Sequence, residues 1–329
     1  MLQRYLLIWL SLLCLLAFQW ESLGFAFDPF VASAVVLNGM FAVSMLAIGW
    51  LLPRDELRQV FARWPVVLGG TAIQYISMPL LAYLVGRGFG LTGSALVGIT
   101  LVGCVPGAMA SNVLTLVARG NVSYSLSLTT SATLLSPLCV PLAMWLALGT
   151  TVDFPALQVS WQLLWMLVLP VTAGHLLATR WDPQQRIGRL VGTPLANLVI
   201  LWIIAVVVAL NRDRLHQLDS TLLVALLAIN VGGYLAGYGG GRLMRLPDPM
   251  RRALTLEIGM QNAGLGAVLS RSLFPDDPAV AIAPAMYTFG CMLTGTVLAR
   301  FWAMASARDE EPESQAALST PVLGAGEAE

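Results

Sequence analysis

Ten long apolar stretches, almost free of charge, limit this chain more than any other feature. They run over 4–20, 30–52, 65–86, 91–118, 122–148, 159–179, 189–210, 220–244, 250–271 and 278–303. Roughly twenty mainly apolar residues suffice for a helix to cross a bilayer. Only 11% of the 329 residues are charged, less than half of the roughly 25% usual in soluble proteins. The expected class is therefore an all-α integral membrane protein, multi-pass, with the lipid bilayer as its surroundings. The first stretch follows Arg4 as a signal peptide would, but no small-x-small cleavage site succeeds Phe18-Gln-Trp-Glu21. It is expected to remain as a span.

Arginine placement fixes the orientation. There is no lysine, so all 18 cations are arginine. With the N-terminus cytoplasmic, only Arg87, Arg212, Arg214 and Arg271 fall outside and the other fourteen fall inside. Short loops rich in arginine stay on the cytoplasmic side, and this division survives only an even number of spans. Both termini are expected in the cytoplasm, with the chain in the cell inner (plasma) membrane. Arg54–Arg63, "RDELRQVFAR", alternates charged and apolar residues at helical spacing and reads as a short helix on the inner surface. Residues 305–329, acidic and rich in small side chains, read as a disordered cytoplasmic tail.

Other chemistries lack their parts. A net charge of zero argues against a nucleic-acid partner, and no segment marks a protein partner. Cys14, Cys104, Cys139 and Cys291 all lie in apolar runs without a CxxC, and no histidine pair stands at metal-ligand spacing. No GxSxG, HExxH or P-loop is present, so no enzyme and no ATP-driven pump is expected. Gly233, Gly237 and Gly241 stand four apart and predict close helix packing. Trp161, Trp165, Trp202 and Trp302 sit near span ends or on apolar faces.

Two polar islands remain. Of 18 carboxylates, Glu257 alone lies well inside a stretch, five residues past Arg252 and fourteen before Arg271. An ionised side chain near a helix centre costs about 2.5–3.5 kcal/mol to insert, so it marks function by default. Gln261 and Asn262 follow one turn later. The second island is "GCVPGAMASNVLTLVARG", where Gly103, Pro106 and Gly107 interrupt the fourth stretch just before Ser111 and Asn112. Proline removes an amide donor and glycine permits unwinding. Unpaired backbone at membrane depth survives only inside protein or along a wet cavity. In the fifth stretch Ser125 and Thr129, four apart, share a helix face.

The interrupted stretches are the fourth and the ninth, the fourth member of each half of ten. An odd number of spans per half inverts the second half, and paired broken spans point to a transporter with its site between the repeats. The expected fold is ten transmembrane helices in two inverted five-helix repeats, 1–150 and 151–304. Carboxylate, amide, hydroxyl and unwound carbonyl oxygens suit a hard, redox-inert cation, and soft ligands for a transition metal are absent. Bound alkali cations would neutralise Glu257, and an anion would bind beside them near the positive ends of the broken helices.

The segment "GCVPGAMASNVLTLVARGNVSYSLSLTTSATLLSPLCVP" with "EIGMQNAGL" resembles the bile acid:sodium symporter family, and the likeness covers most of the chain. It implies a panel domain and a core domain in which the discontinuous fourth and ninth helices cross. It also implies sodium-coupled symport of an organic anion, bile-acid-like or a small carboxylate, by alternating access, with Na⁺ as coupling ion and no cofactor. The first sodium site corresponds to Ser111, Asn112, Ser125, Thr129 and Glu257. The second corresponds to Glu257, Gln261, the carbonyls of Ile258 and Met260, and Gln74. Pro106, Gly107, Ala108, Met109 and Asn262 would face the substrate. Family members often read Pro-Gly-Gly followed by a small or hydroxyl residue, where this chain has Pro106-Gly107-Ala108-Met109. That departure leaves the substrate open. A proton-coupled or facilitated permease of the same fold remains an alternative, as does, more remotely, a receptor, scaffold or intramembrane enzyme.

Overall fold

A computed structural model describes residues 6–24, 27–31, 33–149, 154–182, 186, 188–215 and 220–319. Among these residues the chain is helical, and every one of the ten apolar stretches carries helix. In chain order they are α1 (Leu6–Gln19), α2 (Ala34–Leu51), α3 (Glu56–Ala62), α4 (Trp64–Gly88), α5 (Gly93–Cys104), α6 (Ala110–Val117) and α7 (Val122–Leu148). Then follow α8 (Ala156–Trp181), α9 (Thr193–Leu210), α10 (Ser220–Leu243), α11 (Asp248–Gly259), α12 (Ala263–Leu273) and α13 (Ile282–Ser319). Six helical segments are long and apolar enough to cross a membrane, with three shorter apolar helices beside them. The protein is an integral membrane protein.

Large apolar side chains line the outer surface. Leu157, Val35, Leu146 and Leu235 are exposed, as hydrocarbon contact requires. Water cannot drive helices together within lipid, so association relies on close packing. Gly49 of α2 lies where an added Cβ would stand 2.0 Å from the Val171 carbonyl oxygen, and Gly174 of α8 lies 2.1 Å by the same measure from that of Leu46. The glycine stripe of α10 works alike: a Cβ on Gly237 would meet Thr255 Cα at 2.6 Å, and one on Gly233 the Ile258 oxygen at 3.1 Å. These glycines bring α2 against α8, and α10 against α11, at backbone distance. Helices α1, α2, α8 and α9 pack as one group, while α4–α7 with α10–α13 form another.

The inner-surface helix is present at 56–62, but its role is larger than its amphipathic pattern suggests. Glu56 is 1% exposed and accepts a hydrogen bond from Ser127 Oγ at 3.0 Å, while Ser123 Oγ donates to Gln59 Oε1 at 2.5 Å. The helix is thus bolted to the start of α7. Asp182 is also buried, its oxygens accepting from Trp50 Nε1 and the amides of Arg186 and Gly188. Glu257 is therefore not the sole buried carboxylate. Loop acids become buried where a cap needs them, a tertiary matter that hydropathy does not register. At the C-terminus α13 continues to Ser319, past the point where a disordered tail was expected, and 320–329 lie outside the described residues. Ala and Glu are prominent in that extension, and both are good helix formers.

Candidate functional site

Each island becomes a break between two half-helices. α5 stops at Cys104 and α6 begins at Ala110; α11 stops at Gly259 and α12 begins at Ala263. The two breaks lie side by side and satisfy each other's backbone. Ala108 N donates to the Met260 oxygen at 2.7 Å, and Asn262 N donates to the Pro106 oxygen at 2.8 Å. Gly107 and Gln261 form the bridge pair between them. Pro106 offers no amide, so this reciprocal pairing takes up groups that neither helix can bond internally. Asn262 caps α12 by accepting from Leu265 N at 3.1 Å. Far from the break, Arg252 Nη1 donates to the Ala118 carbonyl at 2.9 Å and Asn121 N to that of Pro249 at 2.8 Å, so the ends of α6 and α11 remote from the break are tied together as well.

Glu257 sits at this crossing with 0% exposure. Its Oε1 accepts from Thr129 Oγ1 at 2.7 Å, and its Oε2 accepts a short bond from Ser111 Oγ. Among the described residues it makes no ion pair. Asn112 Oδ1 lies 3.5 Å from Thr129 Oγ1. Ser111, Asn112, Thr129 and Glu257 are therefore brought together. Ser125 is one turn lower: its carbonyl lies 3.1 Å from Thr129 Oγ1, while its hydroxyl is 3.2 Å from Thr115 Oγ1. Thr115 escaped the sequence reading, although it stands four residues past Ser111 on the same helix face and is fully buried.

A second set of oxygens adjoins the first along the chain. Gln74 Nε2 donates to Gln261 Oε1 at 3.4 Å, and Gln261 Nε2 donates to the Ile258 carbonyl at 2.7 Å. Gln74 and Gln261 are both 1% exposed. Of this set Gln74, Gln261 and Ile258 converge, whereas the Met260 carbonyl points across the crossing to Ala108. Thr71, one turn before Gln74, shares a 3.2 Å hydrogen bond with Ser131 and extends the polar layer.

Gly107, Met109 and Asn262, together with Thr129, Thr130 and Thr133, form one wall of a small cavity of about 20 Å³. Met45 and Ile48 of α2, Leu52 just past its end, and Val171 of α8 form the other. Met109 reaches back to Asn112, whose Nδ2 is 3.7 Å from its sulfur. A larger cavity of about 390 Å³ between α1, α10 and α13 is lined chiefly by apolar side chains, and Glu257 is not among its lining residues. Asn230 and Tyr287 border it, but both hydrogen-bond to the Gly259 carbonyl. It therefore lacks the convergent free polar groups of a ligand site. Chemically the crossing offers one buried carboxylate ringed by neutral oxygens, a donor set for a dehydrated hard cation. Among the described residues no group of three or more His, Cys, Asp or Glu gathers elsewhere.

The family model described as Sodium Bile acid symporter family matches residues 39–218. An uncharacterized sodium-dependent transporter of Bacillus subtilis (strain 168) is 31% identical over 297 residues, 90% of this chain and 89% of its own. A probable chloroplastic sodium/metabolite cotransporter of Arabidopsis thaliana is 28% identical over 90% of this chain and 72% of its own. Sodium/bile acid cotransporter 4 of Rattus norvegicus is 25% identical over 73% of this chain and 56% of its own. All are named as transporters rather than enzymes. With more than half its length inside the family match, the chain belongs to the sodium bile acid symporter family and is a membrane transport protein.

Proposed function

We propose that this protein couples entry of an organic anion to sodium, holding two sodium ions at the crossing of its broken helices. The observation that carries this reading is Glu257, fully buried and met only by hydroxyl donors. Leaving a buried carboxylate without a cationic partner is strongly unfavourable, and alkali ions among the surrounding oxygens would remove the imbalance. Ser111, Asn112, Ser125, Thr129 and Glu257 would form the first site. Gln74, Gln261, Glu257 and the carbonyls of Ile258 and Met260 would form the second, with Met260 swinging off Ala108 or sharing its oxygen. The names of the relatives support sodium as the coupling ion.

The fold would then be ten spans in two inverted five-helix repeats, 1–150 and 151–304, with both termini cytoplasmic in the plasma membrane. The α1, α2, α8 and α9 group would serve as the panel and the other group as the core. Both half-helices α6 and α12 begin at the crossing, so their positive ends favour an anion in the small cavity. Of the five residues expected to face the substrate, Gly107, Met109 and Asn262 would face it while Pro106 and Ala108 hold the break beside them, and the Met109 thioether would narrow the cavity toward anions that need no donor at that position. Alternating access would part the cavity walls and break contacts between the groups, among them the 2.9 Å bond from Ser272 Oγ to Asn38 Oδ1.

Uptake of labelled organic acids into proteoliposomes, with sodium or potassium outside and an imposed potential, tests the reading. Two sodium ions with a monoanion carry net positive charge inward, so uptake should need sodium and rise with an inside-negative potential. Uptake driven by a proton gradient and indifferent to sodium would establish instead a proton-coupled permease working through Glu257.

A further inference from the structure

The last carbonyl of α11 is clamped by side chains that lie outside both oxygen sets. Gly259 O accepts from Tyr287 Oη and from Asn230 Nδ2, each at 2.7 Å. Thr294 Oγ1 in turn donates to Asn230 Oδ1 at 2.7 Å and lies 3.0 Å from Tyr234 Oη. Asn230 and Tyr287 are each 1% exposed. The Tyr234 ring presses directly on Gly259, where an added Cβ would come within 2.1 Å of its Cδ1. α10 and α13 thus converge on a single peptide unit at the break.

A helix end leaves its final carbonyls without intrahelical partners, and here three successive ones go to three different places. Ile258 O accepts from Gln261, Gly259 O from Tyr287 and Asn230, and Met260 O from Ala108. A carbonyl oxygen has two lone pairs, and those of Gly259 are both taken. That oxygen is withheld from any cation, while the peptide planes on either side of it are fixed. We infer that Tyr287 and Asn230 are positioning residues for the second sodium site. By pinning Gly259 they aim the Ile258 carbonyl toward Gln261 and keep the Met260 carbonyl on Ala108, and so set the affinity and ion selectivity of that site. The inference rests on the sodium reading proposed above.

The test uses purified full-length protein and the Tyr287→Phe variant, which keeps the ring and removes the hydroxyl that bonds Gly259 O and lies 3.4 Å from Asn230 Nδ2. Sodium titration of the melting temperature in detergent reads binding without substrate, and lithium titration reads selectivity. Partners that orient a metal ligand without touching the metal are worth about 10- to 100-fold in affinity, so the half-saturating sodium concentration should rise about tenfold. The preference for sodium over lithium should narrow, and uptake at saturating sodium should stay near wild type. Thr294→Val, which loosens Asn230 while leaving Gly259 bonded, should shift both readouts less in the same direction, and it decides the matter if Tyr287→Phe does not fold. A folded variant with lower stability in potassium and sodium alike, and unchanged half-saturation and selectivity, overturns the inference and leaves the sodium reading standing. A wild-type protein that ignores sodium overturns both.

Discussion

Replacing Gly107 with alanine tests the crossing with the smallest possible change. The new methyl would stand 2.1 Å from Glu257 Oε1, 2.7 Å from its Cδ and 3.2 Å from its Cγ. Comfortable contact lies near ~3.5 Å, so the carboxylate must retreat by about 1.4 Å, the difference between that contact and the 2.1 Å approach. It has little room to do so, because Thr129 and Ser111 hold both oxygens and Gly107 is itself paired with Gln261. Overpacking of this kind costs about 1–3 kcal/mol in stability, which a protein of this size should survive. Ligand geometry is less forgiving, since metal–ligand distances tolerate only about 0.2 Å. Gly107→Ala should therefore fold, with a lowered melting temperature in potassium, and should lose nearly all of its sodium-dependent stabilisation and uptake. Gly239→Ala is the matched control: nothing lies within 4 Å of its Cβ, and it faces outward on α10. It should keep the full sodium response and gain up to about 1 kcal/mol of helix stability. A Gly107→Ala protein with the sodium half-saturation of wild type would refute the placement of the carboxylate at a cation site.

Two further substitutions separate charge from shape. Glu257→Gln preserves size and much of the hydrogen bonding, so stability in potassium should hold or rise, by no more than about 3 kcal/mol, while the sodium increment disappears. A Glu257→Gln protein that still melts later in sodium than in potassium would place the ions elsewhere. Glu56 offers a pH prediction away from the membrane interior. Burial raises its pKa from the ordinary 4.5, with Asp55 adding to the rise, while the Ser127 hydrogen bond and Arg63 oppose it. An acid with a raised folded value holds its proton longer when folded, so its contribution to stability falls as pH climbs from the ordinary value through the raised one, then levels off. Glu56→Gln, whose amide oxygen can still accept from Ser127, should melt later than wild type above that window and flatten the slope within it. Melting curves across the acidic to neutral range check this, and parallel curves for the two proteins would contradict it.

The relation between Glu56 and Glu257 shows where sequence and structure divide the work. Glu257 was legible because it interrupts an apolar run, and the energy of burying charge in hydrocarbon makes such an interruption informative by itself. Glu56 sits in a charged segment where burial leaves no mark, and only the packing of α3 on α7 reveals it. The same holds at the crossing. Gly103, Pro106 and Gly107 announce a break, and "EIGMQNAG" announces another, because helix propensity is local. That Ala108 bonds Met260 and Asn262 bonds Pro106 is a pairing between residues some 150 apart, which no local rule supplies. Thr115, Asn230 and Tyr287 were missed for a related reason: hydroxyls and amides in membrane helices are common enough that their function depends on what they face.

What the sequence determined alone was the solvent, the helical class, the position of each apolar segment and the two places where helix gives way to oxygen-rich backbone. All of these follow from hydropathy and local conformational energy. Only the tertiary structure decided which oxygens meet, which carbonyl is tied off, and which glycines let backbones touch. Those depend on contacts between distant segments, whose distances are set by packing of the whole bundle rather than by any one stretch of chain.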